Sequence, residues 1–368
     1  MVPKVGVIGG GQLARMMIAP AIELGIDLVV LAETAGSSAG LAATSVGDYR
    51  DLATVHAFVD GVDVVTFDHE HVPQEILRSI ASSGVRVEPA PSALEFAQDK
   101  LLMRARLSEL ALPVPDWAAV SSVDDLTKFL AAHGGQAVVK TARGGYDGKG
   151  VRLVRDAAEV ADWFTSGEAL LAEERVEFSR ELSQVLARRR SGEIALWPVV
   201  ESIQRDGVCA EVIAPAPNSA GRVADVAADI ATAVAENLDV TGVLAVELFE
   251  TTDERLLVNE LAMRPHNSGH WSIEGSTTSQ FEQHLRAVLD LPLGATGCRD
   301  AWSVMVNVFG AMAAEDYPRA LADQPDVKFH SYGKQARPGR KVGHVTASGD
   351  DLDDVVFRAR AAAAFFEV

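Results

Sequence analysis

Gly135-Gln136-Ala137-Val138-Val139-Lys140-Thr141-Ala142-Arg143-Gly144-Gly145-Tyr146-Asp147-Gly148-Lys149-Gly150 is a short β-branched run that ends in a lysine and passes straight into a glycine-dense loop. Glycines at 144, 145, 148 and 150 clear side chains so that backbone N–H groups can approach an anion, and Lys140 and Lys149 put positive charge beside it. Val151-Arg152-Leu153-Val154 reads as a second strand, so the loop is the tip of a hairpin. It is not a P-loop, which requires Gly-x4-Gly-Lys-Ser/Thr at the head of a helix. Two readings stand: a flap over a polyphosphate, and a hairpin turn with no ligand, for which four glycines are more than a turn requires.

The chain around this loop has 368 residues, 48% of them hydrophobic, enough for two or three domains with cores of their own. Thirty-three basic against 52 acidic residues give a net charge of −19, which argues against nucleic-acid or anionic-membrane partners. An anionic substrate must therefore meet a locally basic pocket. Cys209 and Cys298 lie far apart without metal-type spacing, so a reducing cytoplasm fits. The N-terminus enters a strand at once, which indicates no targeting segment, and no apolar run reaches the roughly 18 residues needed to span a bilayer.

The first hundred residues alternate strands (4–8, 27–32, 62–67, 85–88) with helices (13–24, 52–59, 73–83), the pattern of a doubly wound parallel sheet. Gly9-Gly10-Gly11-Gln12-Leu13-Ala14 satisfies the Gly-x-Gly-x-x-Gly/Ala fingerprint, and Glu33 ends the second strand where a ribose-binding acid would sit. Both a nicotinamide dinucleotide and another phosphate ligand suit such a turn. The third strand runs into Asp68-His69-Glu70-His71, at the carboxyl end where open α/β sheets bind ligands. Glu70 reads either as a ligand contact or as an acid favoured by the next helix dipole. His69 and His71 read as unrelated side chains on opposite faces of an extended segment, not as half a metal site. Pro89–Ser92 marks a boundary, and one helix is predicted over 93–110.

Val243–Glu250 and Arg255–Leu261 read as two strands of a hairpin turning near Asp253, so that paired residue numbers sum to about 507 and Glu247 faces Glu260. Facing carboxylates among apolar neighbours either raise one pKa or demand a cation between them, and Mg²⁺ with an added oxygen from Asn259 fits; solvated hairpin acids are the other reading. Met263-Arg264-Pro265-His266-Asn267-Ser268-Gly269-His270-Trp271 is dense in hydrogen-bond donors and suits a polar substrate, while Pro265 and Gly269 oppose a helical zinc site. Near the end, Lys334, Arg337, Arg340 and Lys341 crowd within a short stretch, a cluster that calls for an anion or a solvated turn.

A Mg–nucleotide together with a second anionic substrate is the combination that phosphoryl transfer uses. In this order, the glycine loop, Glu247, Asn259-Glu260, His266-Asn267-Ser268-Gly269-His270-Trp271 and Arg337-Pro338-Gly339-Arg340-Lys341-Val342-Gly343-His344 resemble the N5-carboxyaminoimidazole ribonucleotide synthetases over nearly the whole chain. The resemblance implies an ATP-grasp fold of mixed α/β and α+β class: an N-terminal doubly wound domain (1–92), a two-part ATP-grasp domain (93–295) and a small C-terminal β-rich domain (296–368). It implies ATP-dependent carboxylation of 5-aminoimidazole ribonucleotide (AIR) by bicarbonate through carboxyphosphate, in purine biosynthesis. Another ATP-grasp ligase, such as the formate-dependent glycinamide ribonucleotide transformylase, is the nearest rival, and the dehydrogenase is a remote one.

By the same resemblance, Lys100 and Lys140 would hold ATP phosphates, and Glu173, Val176 and Glu181 would surround the adenine and ribose. The nucleotide set would extend to Gly145, Tyr146, Asp147, Gly148, Lys149, Gly150, Glu174, Arg175, Asn259 and Glu260, with Mg²⁺ on Glu247 and Glu260. Gly11, Gln12, Glu70, Asn267, Ser268, Arg340 and Lys341 would bind AIR, and Tyr146, Asp147, Arg264 and Lys341 would act at the reacting groups. A cytoplasmic homodimer that passes its product to an N5-carboxyaminoimidazole ribonucleotide mutase is the expected setting. Three departures stand out: Lys100 where relatives often carry Arg, Gln204 where His is common, and Asp68-His69 where Glu-Phe is usual.

Overall fold

Val5, Val7, Ile8, Val64, Val65 and Phe67 are almost wholly shielded from solvent, as strands covered on both faces require. In the computed structural model, which describes residues 2–145 and 150–366, Lys4–Ile8 is the centre of a five-stranded parallel sheet. Asp27–Ala32 and Val64–Phe67 flank it, and Ala43–Val46 and Arg86–Val87 form the edges. The Ala43–Val46 strand escapes sequence reading because it is a largely exposed edge with no apolar alternation.

The helix predicted over 93–110 is two helices, Pro91–Gln98 and Lys100–Glu109. Asp99 between them is extended, and its Oδ1 accepts from Leu101 N at 3.0 Å and Leu102 N at 3.1 Å, an N-cap that outweighs continuous helical propensity. Its Oδ2 accepts from Arg143 Nε at 2.9 Å, while Lys100 N donates to Ala142 O at 2.9 Å. The break thus docks the start of the second helix onto the base of the glycine loop.

Two antiparallel sheets follow. The smaller has the order Trp117–Val120, Leu170–Glu173, Ala137–Thr141, Val151–Val154, backed by helix Val123–Ala132 and the 3-10 segment Ala157–Ser166. The larger has nine strands among the described residues; Leu256–Ala262 at its edge and the next two, Gly242–Thr251 and Phe178–Arg188, carry the acidic hairpin. Trp302–Gly310, Arg337–Gly349 and Lys328–Ser331 continue this same sheet beyond Val208–Ala214. Glu174 anchors the connection between the sheets: its N–H donates to Asp116 O at 2.8 Å and its Oε1 accepts from Asp116 N at 3.0 Å. Among the described residues, no helix is long and apolar enough to cross a membrane.

Helix Gln280–Val288 joins the first sheet to the larger one. Phe281, Leu285 and Val288 share an apolar cluster with Leu13, Met17 and Ala21 of helix Gln12–Glu23. His284 on that helix accepts from Val243 N through Nδ1 at 3.0 Å, which leaves its proton on Nε2 for Thr66 Oγ1 at 2.7 Å. Burial lowers this imidazole from 6.5 to about 3. Below pH 6.5 the unfolded chain therefore takes up a proton that the folded chain refuses, so stability falls as pH drops toward 3 and is insensitive to this group above 6.5. Urea unfolding at about pH 5.5 and about pH 7.5 should show this group contributing about 1.4 kcal/mol of lost stability at the lower pH. His284→Gln should shrink the difference between the two pH values by that amount; an unchanged difference would contradict the assignment.

Candidate functional site

Lys140 is the last residue but one of the Ala137–Thr141 strand and is 6% exposed. Its Nζ lies 2.8 Å from Glu173 Oε2 and donates to Asn259 Oδ1 at 3.0 Å. Glu173, at the end of the neighbouring strand, accepts from Arg104 Nε through its other oxygen, and Arg104 Nη2 donates to Asn259 O at 2.6 Å. Lys100, one turn before Arg104, holds its Nζ 2.9 Å from Glu260 Oε1. Burial pushes both carboxyls up. The pull of Lys140 and Arg104 on Glu173, and of Lys100 and Lys140 on Glu260, outweighs it and leaves both below the usual glutamate range. The cluster spans the two antiparallel sheets.

Across the hairpin Glu247 pairs with Glu260, as the register arithmetic requires, but Leu248 pairs with Val258, so Asn259 is an extra residue, a β-bulge. The bulge lets Asn259 Oδ1 and the Glu260 carboxylate meet Lys140 and Lys100 together. Glu181 lies on the adjacent strand; burial first, then Glu247, raise its carboxyl to about 7 against the pull of Lys140. These all-oxygen donors fit Mg²⁺. Two ammonium groups already rest on Asn259 and Glu260, so these oxygens accept positive charge. Among the described residues no three His, Cys, Asp or Glu side chains cluster as a metal cage.

A second polar basin lies at the end of the same hairpin. Glu70 accepts from Met263 N at 2.9 Å and from Arg264 Nε at 3.1 Å. His266 Nε2 reaches Glu247 Oε1 at 3.1 Å and its Nδ1 meets Ser268 Oγ at 2.8 Å. The amides of Asn267 and Asn307 pair reciprocally at 2.7 and 3.2 Å. Lys334 Nζ donates to Gln12 Oε1, and Arg15 Nε and Nη1 donate to Ser331 O at 3.0 Å and Ser38 O at 2.9 Å, so the first glycine turn and the C-terminal basic segment are stitched together. Lys341 pairs with Phe309 in the sheet, close enough for its charge to act on Cys209 and His270. Arg340 Nη1 donates to Gln335 O at 3.3 Å.

The glycine turn itself is occupied by the protein. Asp68 Oδ1 accepts from Ala14 N at 2.8 Å, and a Cβ on Gly11 would stand 2.0 Å from Asp68 Oδ2. The nicotinamide reading fails on this point, because Asp68 fills the helix N-terminus where a pyrophosphate would bind. His69 and His71 are not unrelated either: their rings stack with centroids 5.3 Å apart, because residues two apart share a face and the chain bends after Phe67. Gln204 donates to Ser202 Oγ at 3.0 Å and lines a cavity of about 550 Å³ with Glu211 and Arg360, a lining that contains none of the Lys140 cluster.

Arg175 Nη1 donates to Gln136 Oε1 at 3.3 Å, and half-buried Val176 follows it in the connection between the sheets. Gly145 and Gly150 bracket the loop, while Tyr146, Asp147, Gly148 and Lys149 lie outside the described residues. Arg104 and Asp68 are the groups that the sequence reading misses. The four-residue spacing of Lys100 and Arg104 on one helix is the available signal for Arg104; the partners of Asp68 lie too far along the chain to leave one.

Two sheets closing on a lysine and acid cluster define an ATP-grasp protein, and the family models agree. An ATP-grasp domain matches residues 105–281, a ribonucleotide synthetase preATP-grasp domain 2–98, and a phosphoribosylaminoimidazole carboxylase C-terminal domain 303–358. The N5-carboxyaminoimidazole ribonucleotide synthase of Mycobacterium tuberculosis is 50% identical over 98% of this chain and 87% of its own length. The chain belongs to the N5-carboxyaminoimidazole ribonucleotide synthase family. The crystal structure of the synthetase from Thermus thermophilus superposes with TM-score 0.90 at 37% identity, covering 99% of this chain and 98% of that one. The Aspergillus clavatus enzyme in complex with ADP and 5-aminoimidazole ribonucleotide does so with TM-score 0.89 at 30% identity, covering 99% and 98%.

The contact between Gly11 and Asp68 is open to test. Gly11→Ala should cost about 1–3 kcal/mol in denaturant unfolding, the usual range for overpacking. In a double-mutant cycle with Asp68→Ala the two losses should fall short of additive; strict additivity would mean that Gly11 answers to something other than the carboxylate.

Proposed function

We infer that the chain catalyses the ATP-dependent carboxylation of 5-aminoimidazole ribonucleotide to N5-carboxyaminoimidazole ribonucleotide in purine biosynthesis. The observation that carries this reading is the single path from Lys140 and Glu260 through Arg264 to Glu70, which sets a cation-lined nucleotide cleft beside a second polar basin. In the proposed reaction a bicarbonate oxygen attacks the γ-phosphorus and ADP leaves. The carboxyphosphate releases phosphate and CO₂, and the exocyclic amine of AIR attacks CO₂ and loses a proton. Lys100 and Lys140 neutralise the polyphosphate, and Glu247, Asn259 and Glu260 would hold Mg²⁺, which when bound supplies further charge neutralisation there.

Glu70 orients Arg264 toward the reacting groups, joined in this reading by Tyr146, Asp147 and Lys341. Gly11, Gln12, Asn267, Ser268 and Arg340 bind the ribonucleotide. Keeping water from this cleft lets carboxyphosphate meet the amine before hydrolysis. The proposed setting is a cytoplasmic homodimer organised as units 1–92, 93–295 and 296–368, with the product passed to a mutase.

ADP release should require AIR, bicarbonate and Mg²⁺ together, and should not occur with formate and glycinamide ribonucleotide; release with the latter pair would replace this reading by its rival. Glu260→Gln should raise the Mg²⁺ concentration for half-maximal turnover by more than about tenfold, the scale of loss seen when a metal site is disturbed. An unshifted Mg²⁺ dependence would remove Glu260 from the metal. Lys341→Ala should raise the KM for AIR by roughly tenfold or more, as loss of a charged contact does, with the KM for ATP within about twofold. Equal rises in both would exclude it from the ribonucleotide site.

A further inference from the structure

Arg104 is fully buried, beyond the reach of any ligand in the cleft, yet it touches both sheets that form the cleft. It donates from Nε to Glu173 in the small sheet and from Nη2 to the bulge carbonyl of Asn259 in the large one, at 2.6 Å. The remaining Nη1 is buried with no hydrogen-bond partner among the described residues. A guanidinium kept dry with one donor unsatisfied is a poor stabilising device, since buried ion pairs are commonly no better than apolar replacements. Its position suggests another use.

Glu173 is the key neighbour. One of its oxygens is held by Arg104, and the other by Lys140 Nζ at 2.8 Å. To meet a polyphosphate, Lys140 has to release that oxygen and Asn259 Oδ1. Were Lys140 the only cation on Glu173, its departure would strand a buried carboxylate, and the lysine would stay where it is. Arg104 keeps the carboxylate paired when the lysine leaves. Three cations, Lys100, Arg104 and Lys140, stand against Glu173 and Glu260 in this cluster. Of the three, Arg104 is the one that cannot move to the ligand.

We propose that Arg104 is a positioning residue for nucleotide binding: it holds Glu173 and the Asn259 bulge as a fixed counter-charge, so that Lys140 is free to exchange Glu173 for the phosphates of a nucleoside di- or triphosphate. The proposal rests on the reading of this cleft as the ATP site. It assigns Arg104 no contact with ATP, metal or AIR.

The test measures MgADP and metal-free ADP binding by calorimetry in the native chain, Arg104→Met, Arg104→Lys, Glu173→Gln and Arg104→Met/Glu173→Gln, with thermal melts to check folding. Arg104→Met should weaken ADP binding by roughly tenfold or more with and without Mg²⁺, since the lost contact is that of Lys140 to phosphate. Arg104→Lys, which keeps the charge, should recover most of the affinity. The double variant should match Glu173→Gln alone, because a neutral amide no longer holds the lysine and Arg104 then has no charge to offset. In turnover, the KM for ATP should rise in Arg104→Met while the KM for AIR stays within about twofold.

Native affinity in Arg104→Met would overturn the proposal. So would a loss that Arg104→Lys does not recover, a double variant weaker than Glu173→Gln alone, or equal rises in both KM values, which mark a merely structural residue. If Arg104→Met does not fold, the double variant and Glu173→Gln decide: equal ADP affinity supports the proposal, and a further loss in the double variant defeats it. Absence of ADP binding by the native chain would instead defeat the ATP-site reading on which the proposal stands.

Discussion

One extra residue in the Leu256–Ala262 strand fixes the geometry of the cleft. In an unbroken strand Asn259 and Glu260 would point to opposite faces, one into the cleft and the other into the packing behind it. The bulge slips the register between Glu247 and Leu248, and both side chains then serve lysines that belong to other elements. Its carbonyl is not left without a partner, because Arg104 donates to it from the helix of Lys100. The bulge, the helix and the small sheet therefore constrain one another through a few charged hydrogen bonds, and the lysines have defined positions before any nucleotide arrives.

That arrangement explains how a chain of net charge −19 can take a polyanionic ligand. The long-range field is unfavourable, but the ligand meets two lysines, Lys100 and Lys140, whose present partners are Glu173, Glu260 and the Asn259 amide. Binding is then an exchange of partners within a buried site and not the creation of charge in a dry one. The strongly acidic surface does not enter, since exposed charges beyond about 10 Å are screened at moderate salt.

What could be read from the sequence follows from the range of the interactions involved. The parallel sheet, the glycine hairpin and the facing of Glu247 and Glu260 rest on local periodicity and a short turn, and the structure has them. The break at Asp99 does not show, because helical propensity runs through 93–110 and the deciding contacts are to Ala142 and Arg143 in the loop. Arg104 looks like one more helix-surface cation until its partners, 69 and 155 residues away, are in place. The turn at Gly9–Gly11 is instructive in a different way. Its glycine pattern is shared by dinucleotide sites, but at Gly11 the space is needed by Asp68, so the same signal has a different cause.

The two basins are linked by one short run of backbone. From Asn259 and Glu260 the chain passes directly to Met263 and Arg264, which hold Glu70, and then to His266, which reaches back to Glu247 across the hairpin. Glu70 lies just beyond the Val64–Phe67 strand, so its bonds to Met263 N and Arg264 tie the end of the hairpin to the first sheet directly and not through a linker. The cleft and the second basin therefore share one stretch of backbone: the residues that fix the lysines and the residues that hold Glu70 are at most five positions apart, and neither set can be built without the other.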